Sequence, residues 1–252
     1  MDKSKRIAAA LLLGACFIAT QGLASSDGDV VVEDASIDPD NLNSLQRGAA
    51  NFMNYCSGCH SAQYVRYKTI GKNLDLSEEL LVDNLMFNAD KTFETIQASM
   101  PGEAAARWYG KAPPDLSLMA RAKGADYIFN FLKGFYLDPD SPTGVDNLVL
   151  EGTSMPHVLW ELQGYQSADF SHHENEDGSV TTTFEGFEQV TPGSLDSEDY
   201  DAFVRDTVNF LAYMAEPVRG FRVVLGKWVL MYLIFFLIVA RMLKKQIWKD
   251  VK

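Results

Sequence analysis

The rhythm of apolar and polar positions changes along the chain, and each change predicts a different element. Residues Ile7 to Ala19 form a short apolar run behind Lys3, Lys5 and Arg6, with Gly22-Leu23-Ala24 after it. A basic start, a brief apolar core and a small-residue end predict a secretory signal over 1–24, cleaved after Ala24. The run is short for a membrane span, and Leu13-Gly14-Ala15-Cys16 matches a lipoprotein-processing site only loosely. An acidic stretch over 25–40 then predicts a flexible lead-in. Beyond it, Leu45, Ala49, Phe52 and Cys56 recur at helical spacing behind caps offered by Asn41 to Asn43. Gly48 and Ala49 thin that face, so a second helix can approach closely. Ser77 is expected to cap a helix with Leu80, Leu81 and Leu85 turned inward; Thr92 to cap another that ends at Pro101-Gly102; Asp126 to begin one that stops at Gly134. A last amphipathic helix starts at Ser197-Glu198-Asp199 and stops before Pro217. Its Phe203, Val204, Thr207, Phe210, Leu211 and Met214 share one side, a fitting partner for the thin face. Alternation over 166–193 with Asp177-Gly178 predicts a hairpin. Long connections are expected over 101–116 and 136–154.

From Val223 to Ala240 the chain is apolar apart from Lys227, which can snorkel to an interface beside Trp228. At about 1.5 Å per residue such a run approaches the hydrocarbon thickness of a bilayer. A transmembrane helix is therefore expected over 222–241, with an exported domain over 25–221 before it and a basic tail over 242–252 after it. Arg241, Lys244, Lys245, Lys249 and Lys252 direct that tail to the cytoplasm and the domain to the periplasm of a bacterial inner membrane. Charge reinforces the division. The whole chain carries −12, yet residues 25–221 hold 12 basic against 32 acidic residues. Such a body repels phosphate backbones, which excludes nucleic acid, and attracts a basic partner.

Cys56-Ser57-Gly58-Cys59-His60 carries the chemistry. The C-x-x-C-H spacing is the signature of covalent c-type haem attachment: two thiols reach the two vinyl groups of one porphyrin, and the histidine is held beneath the iron. A zinc site would need two more ligands, and no second C-x-x-C exists. A thioredoxin-like pair would follow a strand rather than a helix, and a plain disulfide makes no use of His60. For the sixth iron ligand, two methionines precede proline, Met100-Pro101 and Met155-Pro156, and spacing does not choose between them. His157 is expected at the surface or beside a propionate, and His172 and His173 in solvent. The fold class expected is mainly α: a c-type cytochrome domain with long haem-wrapping loops and a small β-hairpin, plus one C-terminal transmembrane helix.

Several stretches, in order, resemble the cytochrome c1 family. They are CSGCHSAQYVRY at 56–67, APPDLSLMARA at 112–122, DYIFNFLKGFY at 126–136, PTGV at 142–145, SMPHVLWELQG at 154–164 and FLAYMAEP at 210–217. The resemblance implies one haem c on Cys56 and Cys59, with iron held by His60 and by Met155 rather than Met100. It implies that Pro113, Pro114 and Tyr127 lie near the haem and that Arg121 or Lys123 binds a propionate. It also implies an electron-transfer role in a cytochrome bc1 complex, a ubiquinol–cytochrome c oxidoreductase. This chain would pass electrons from a Rieske iron–sulfur protein to cytochrome c, beside cytochrome b in a dimeric assembly, with no substrate chemistry of its own. The rival reading is another anchored monohaem cytochrome feeding a terminal oxidase, and a haem sensor with an open iron site is a third. The PPDLS and MPHVLWEL blocks argue for the first.

Overall fold

The structure, a computed structural model, describes residues 32–174 and 180–249. The expected signal over 1–24, the lead-in up to residue 31, the Asp177-Gly178 turn and the last three residues of the tail lie outside these. The rest of the lead-in, 32–40, is tied to the domain rather than free: Ala35 is fully buried, its amide donating to Asp126 at 2.9 Å and its carbonyl accepting Arg205 at 3.0 Å. Asn41 starts helix α1 (Leu42–Asn51) by accepting the Ser44 amide at 3.2 Å, which satisfies one of the free N–H groups of the first turn. The helix then widens into a π-helical turn over Phe52–Cys56, where the Ser57 amide reaches the Phe52 carbonyl at 2.9 Å. The wider turn changes the phase of the helical face just where the cysteine motif begins.

Helix α1 packs on the last helix of the domain, α8 (Ser197–Ala215), and the sequence allows close approach at one point. A Cβ at Gly48 would lie 2.7 Å from that of Phe210 and would run into the Asp206 backbone. Phe52 and Phe210, both fully buried, meet at 5.9 Å between ring centres. The same crossing carries a polar network: Ser44 Oγ donates to Asp206 at 2.6 Å, Arg47 pairs with the same carboxylate, and Asn209 Nδ2 donates to Ser44 Oγ at 2.8 Å. Satisfied in this way, the buried carboxylate fixes the register of the two helices.

Around this pair stand short elements: α2 (Tyr67–Asn73), α3 (Glu78–Leu85), α4 (Gly102–Tyr109), α5 (Met119–Lys123), α6 (Ala125–Lys133) and α7 (Trp160–Gln163). Helix α6 lies between Gly124 and Gly134, close to the expected bounds. Ser77 caps α3 and accepts the Leu80 amide at 3.2 Å. Leu81 and Leu85 of α3 are buried, but Leu80 is half exposed, contrary to expectation, because it sits in the first turn away from the α2 contact. No helix follows Thr92. Instead the Thr92 and Glu94 carbonyls accept amides from Lys68 and Tyr67, and Thr95–Ile96 forms β2, antiparallel to β1 (Ala62–Arg66). Pro101 then begins α4 rather than ending a helix, inside a stretch expected to be loop. The 136–154 connection is likewise partly ordered, by β3 (Phe135–Leu137) paired with β4 (Val145–Asn147).

The expected hairpin is present and long: β5 (Gly164–Glu174) pairs antiparallel with β6 (Val180–Pro192), with two register shifts. Helix α9 (Arg219–Ile247) is 29 residues long with a mean hydropathy of 2.4 in its most apolar window, none of which is buried by the rest of the chain. It is long and apolar enough to anchor in a membrane, and it continues past residue 241 into the basic segment. Among the described residues the architecture is mainly helical, with three small two-stranded sheets and one helix long and apolar enough to cross a membrane.

Candidate functional site

Between α1, α6 and α8 and the loops that face them lies a cavity of about 370 Å³ with an almost wholly apolar lining. Cys56, Cys59 and His60 open onto it from the end of α1, and Phe203, Thr207 and Leu211 from α8. Tyr127, Ile128 and Phe131 come from α6. Both thiols are unpaired. Burial, with a smaller contribution from Cys59, pushes the Cys56 thiol up to about 12, so it is a neutral S–H group rather than a thiolate.

The histidine is oriented by its backbone neighbours. His60 Nδ1 lies 2.8 Å from the Pro114 carbonyl, so Nδ1 carries the proton and donates it, leaving the Nε2 lone pair free. Burial lowers the affinity of this ring for a second proton, against smaller opposing effects of the Pro114 contact and Asp115. Pro114 is in turn placed by Asp115. Its carboxylate accepts Ser61 Oγ at 2.6 Å, the Gln63 amide at 2.8 Å and the Ser117 amide at 2.9 Å. The Leu116 amide donates to the Ser61 carbonyl at 2.8 Å, and the Tyr64 amide to Ser117 Oγ at 3.1 Å. Partial burial alone would raise the Asp115 pKa, but the donors from Ser117, Ser61 and Gln63 outweigh it and hold the carboxyl below its ordinary value. Segments 60–64 and 114–117, fifty residues apart in sequence, thus form one stitched wall.

Pro113, Pro114, Lys123, Tyr127 and Met155 line the same cavity, as do both candidate methionines, since Met100 is there too. Their settings differ. The Met100 amide donates to the Gly58 carbonyl at 2.9 Å, and that of Ser99 to Ser57 at 3.4 Å, so Met100 is fastened to the cysteine motif itself. Met155 belongs to the segment after β4, with Thr153 and Pro156 beside it on the lining. Lys123 reaches over the Tyr127 ring, 5.4 Å from its centre. Arg121 does not line the cavity: it points to Glu216 at 3.7 Å and is largely exposed. His157 differs from its expectation. It is buried, stacked on Phe135 at 5.1 Å with Tyr165 edge-on at 6.2 Å, because β3 and β5 close over it. Burial lowers its pKa to about 4. His172 and His173 are exposed as expected.

Three residues that organise the site carried no role in the sequence reading: Asp115, Asp146 and Asn147. The signal for Asp115 was present, since Asp-x-Ser is a turn-forming pattern whose carboxylate captures the amide two residues on. Asn147 likewise captures the amide two residues on, but its bond to Phe131 spans sixteen residues and that of Asp146 to Gly152 six, which no local pattern announces.

The donor set fits a c-type haem: two neutral thiols three positions apart, an imidazole with a fixed tautomer, a thioether, and an apolar enclosure. Comparison with known proteins bears on the same point. The family model described as the Cytochrome C1 family matches residues 36–251. The chain is similar to "Cytochrome c1" of Allochromatium vinosum, 42% identical over 93% of this chain and 95% of the relative. It is also similar to "Ammonia monooxygenase gamma subunit" of Nitrosomonas europaea, 37% identical over 90% and 92%. The mitochondrial "Cytochrome c1, heme protein" of Saccharomyces cerevisiae is 27% identical over 83% of this chain and 67% of its own.

Proposed function

The chain belongs to the cytochrome c1 family, and from that premise we propose that it takes electrons from a Rieske iron–sulfur protein and passes them to a cytochrome c while a cytochrome bc1 complex oxidises ubiquinol. Members of the family are haem electron-transfer subunits with one covalently bound haem c. The observation that carries the proposal is the stitched wall: Cys56, Cys59 and His60 face one apolar cavity, with His60 Nδ1 committed to Pro114. When bound, haem c supplies an iron that gains or loses one electron. The chain's own residues do the rest. Cys56 and Cys59 would hold the porphyrin through thioethers, each thiol adding across one vinyl group, and His60 Nε2 would hold the iron from one side. Met155, on the lining, would hold the iron through its thioether as a second side chain. Met100 is fastened to Gly58, two residues from His60, which favours Met155 over Met100 for that role. Lys123, on the lining, is the proposed propionate partner, and Pro113 and Tyr127 would bound the porphyrin.

The proposed membrane arrangement follows from charge. Arg222 ahead of the apolar run is paired with Glu216 at 2.6 Å, whereas Arg241, Lys244, Lys245 and Lys249 follow it with no acidic residue among them. That asymmetry supports a cytoplasmic C-terminus and a periplasmic haem domain. Cytochrome b beside α9 and a dimeric complex complete the proposal. Membranes of a strain lacking this chain should lose ubiquinol–cytochrome c reductase activity, and the wild-type chain should restore it. Full activity without the chain would overturn the assignment. The excess of acidic residues over 25–221 also implies a basic docking surface on the acceptor. Electron transfer to it should slow steeply between low and high ionic strength, as screening shortens the field to about 8 Å at physiological salt. A flat dependence in stopped-flow measurements would remove charge from the docking argument.

A further inference from the structure

We propose that Asp146 is the positioning residue for Met155, a role that rests on reading Met155 as the axial ligand. Between β4 and α7 the chain runs from 148 to 159 with no helix or strand, and Met155 sits within that stretch. A thioether must be presented to metal at one distance and angle, so something has to hold this loop. Asp146 is 7% exposed, and among the described residues no ion pair involves it. A buried carboxylate without a cation is costly unless its oxygens are filled by donors. Here they are filled by the loop. Oδ1 accepts the amides of Asn147 and Gly152, both at 2.8 Å, and of Thr153 at 3.3 Å; Oδ2 accepts Gly152 at 3.1 Å. Gly152 has φ +69°, the left-handed conformation that aims its amide back at the carboxylate. Thr153, buried in turn, accepts the Met155 amide on Oγ1 at 3.4 Å.

The other end of this chain of contacts is tied to the cavity wall. Asn147, 1% exposed, donates to the Phe131 carbonyl at 2.7 Å and accepts the Val149 and Leu150 amides at 2.9 and 3.2 Å. Phe131 and Leu150 both line the cavity. The sequence of contacts from α6 through Asn147 and Asp146 to Gly152, Thr153 and Met155 therefore holds the backbone from which the Met155 side chain reaches the cavity lining. Asparagine cannot replace Asp146 in full, since its amide nitrogen would face the Gly152 N–H.

The test is spectroscopic, on the full-length chain in its native complex. Asp146→Ala should keep haem attached but lose most of the thioether-to-iron charge-transfer band, gain carbon monoxide binding by the reduced haem, and lower the reduction potential. Asp146→Asn should show the same changes in smaller measure, and it decides the matter if the alanine variant does not accumulate. Asp206→Asn alters a comparably buried carboxylate between α1 and α8; it should lower thermal stability and leave the band intact. Met155→Leu is the reference: if it leaves the band unchanged, the ligand reading itself fails. If Met155→Leu abolishes the band while the Asp146 variants retain it and do not bind carbon monoxide, the positioning role is overturned.

Discussion

The two walls of the cavity are built by opposite means. The wall that carries His60 is short-range at its core: a π-helical turn leads into five consecutive motif residues, and Pro114 on His60 and Asp115 on Ser61 and Gln63 tie them and the residues that follow to the PPDLS segment. The wall that carries Met155 is a loop with no regular structure, held from behind by Asp146 and Asn147. The first has its chemistry written contiguously, because two thioethers to one porphyrin demand fixed spacing along the chain. On the proposed ligation by Met155, the second would need only a sulfur at one place in space, and any scaffold that put it there would serve. Loss of the first wall should therefore abolish cofactor retention, whereas loss of the second should change the cofactor's properties.

The largest expected effect follows directly. Cys56→Ala or Cys59→Ala should leave no chain with two thioethers, and the complex should fail to accumulate. Haem staining of denatured membranes reads this: wild type keeps its stain through acid–organic extraction, and a wild-type protein that released its haem would refute covalent attachment.

The second effect isolates the other wall. Met155→Leu should keep the haem stain, lose the thioether band and drop the reduction potential by a large margin, since a thioether favours the reduced iron. Met100→Leu, at a residue fastened beside the cysteine motif, should keep the stain, the band and the potential. A reversal of the two variants would exchange the roles given to the two methionines.

The same contrast explains what the sequence made legible. Helix α6 is readable because Asp126 and Gly134 bracket an amphipathic run, although it starts one residue earlier at Ala125, and α8 because Pro217 follows a long apolar face. The motif cysteines, His60 and the anchor were readable for the same reason: each is a local pattern. Thr92 was misread because capping residues also serve turns, and the two-residue β2 exists only through pairing with β1. Leu80 was placed inward on periodicity that the first turn of α3 does not obey. His157 was read as peripheral because nothing local announces Phe135 and Tyr165 on either side of it. Met100 and Met155 are both Met-Pro and both line the cavity, so the preference for Met155 rests on the family resemblance.

A third, smaller effect tests the stitching of the His60 wall. Asp115→Asn should cost about 0.5–1.5 kcal/mol, the net worth of a partly exposed hydrogen bond lost from the set. The pH dependence has a fixed sign. Because the folded-state pKa of Asp115 is depressed, its contribution is complete above the unfolded value of about 4 and is lost as pH falls through the lower folded value. Melting temperatures of wild type and variant should thus converge in acid and separate towards neutrality. Parallel curves across that range would show that the carboxylate's charge contributes nothing to the wall.

The smallest effect separates the two cations that family resemblance left paired. Arg121 is turned away to Glu216, the residue that also holds Arg222 at the start of the anchor, so its charge is balanced at the junction of domain and membrane helix. Lys123 instead lies on the cavity lining above Tyr127. A cation near the haem favours the reduced form, which carries one less positive charge, so removing it should lower the potential. At a separation of roughly 10 Å and an effective dielectric constant of about 40, the interaction is about 0.8 kcal/mol, equivalent to a few tens of millivolts. Lys123→Gln should produce a fall of that order in a redox titration and weaken its salt dependence. Arg121→Gln should leave the potential nearly unchanged and act on the junction, where it frees part of Glu216. Equal shifts in both variants would mean that the titration reads general surface charge; a larger shift for Arg121 would reassign the propionate contact to it.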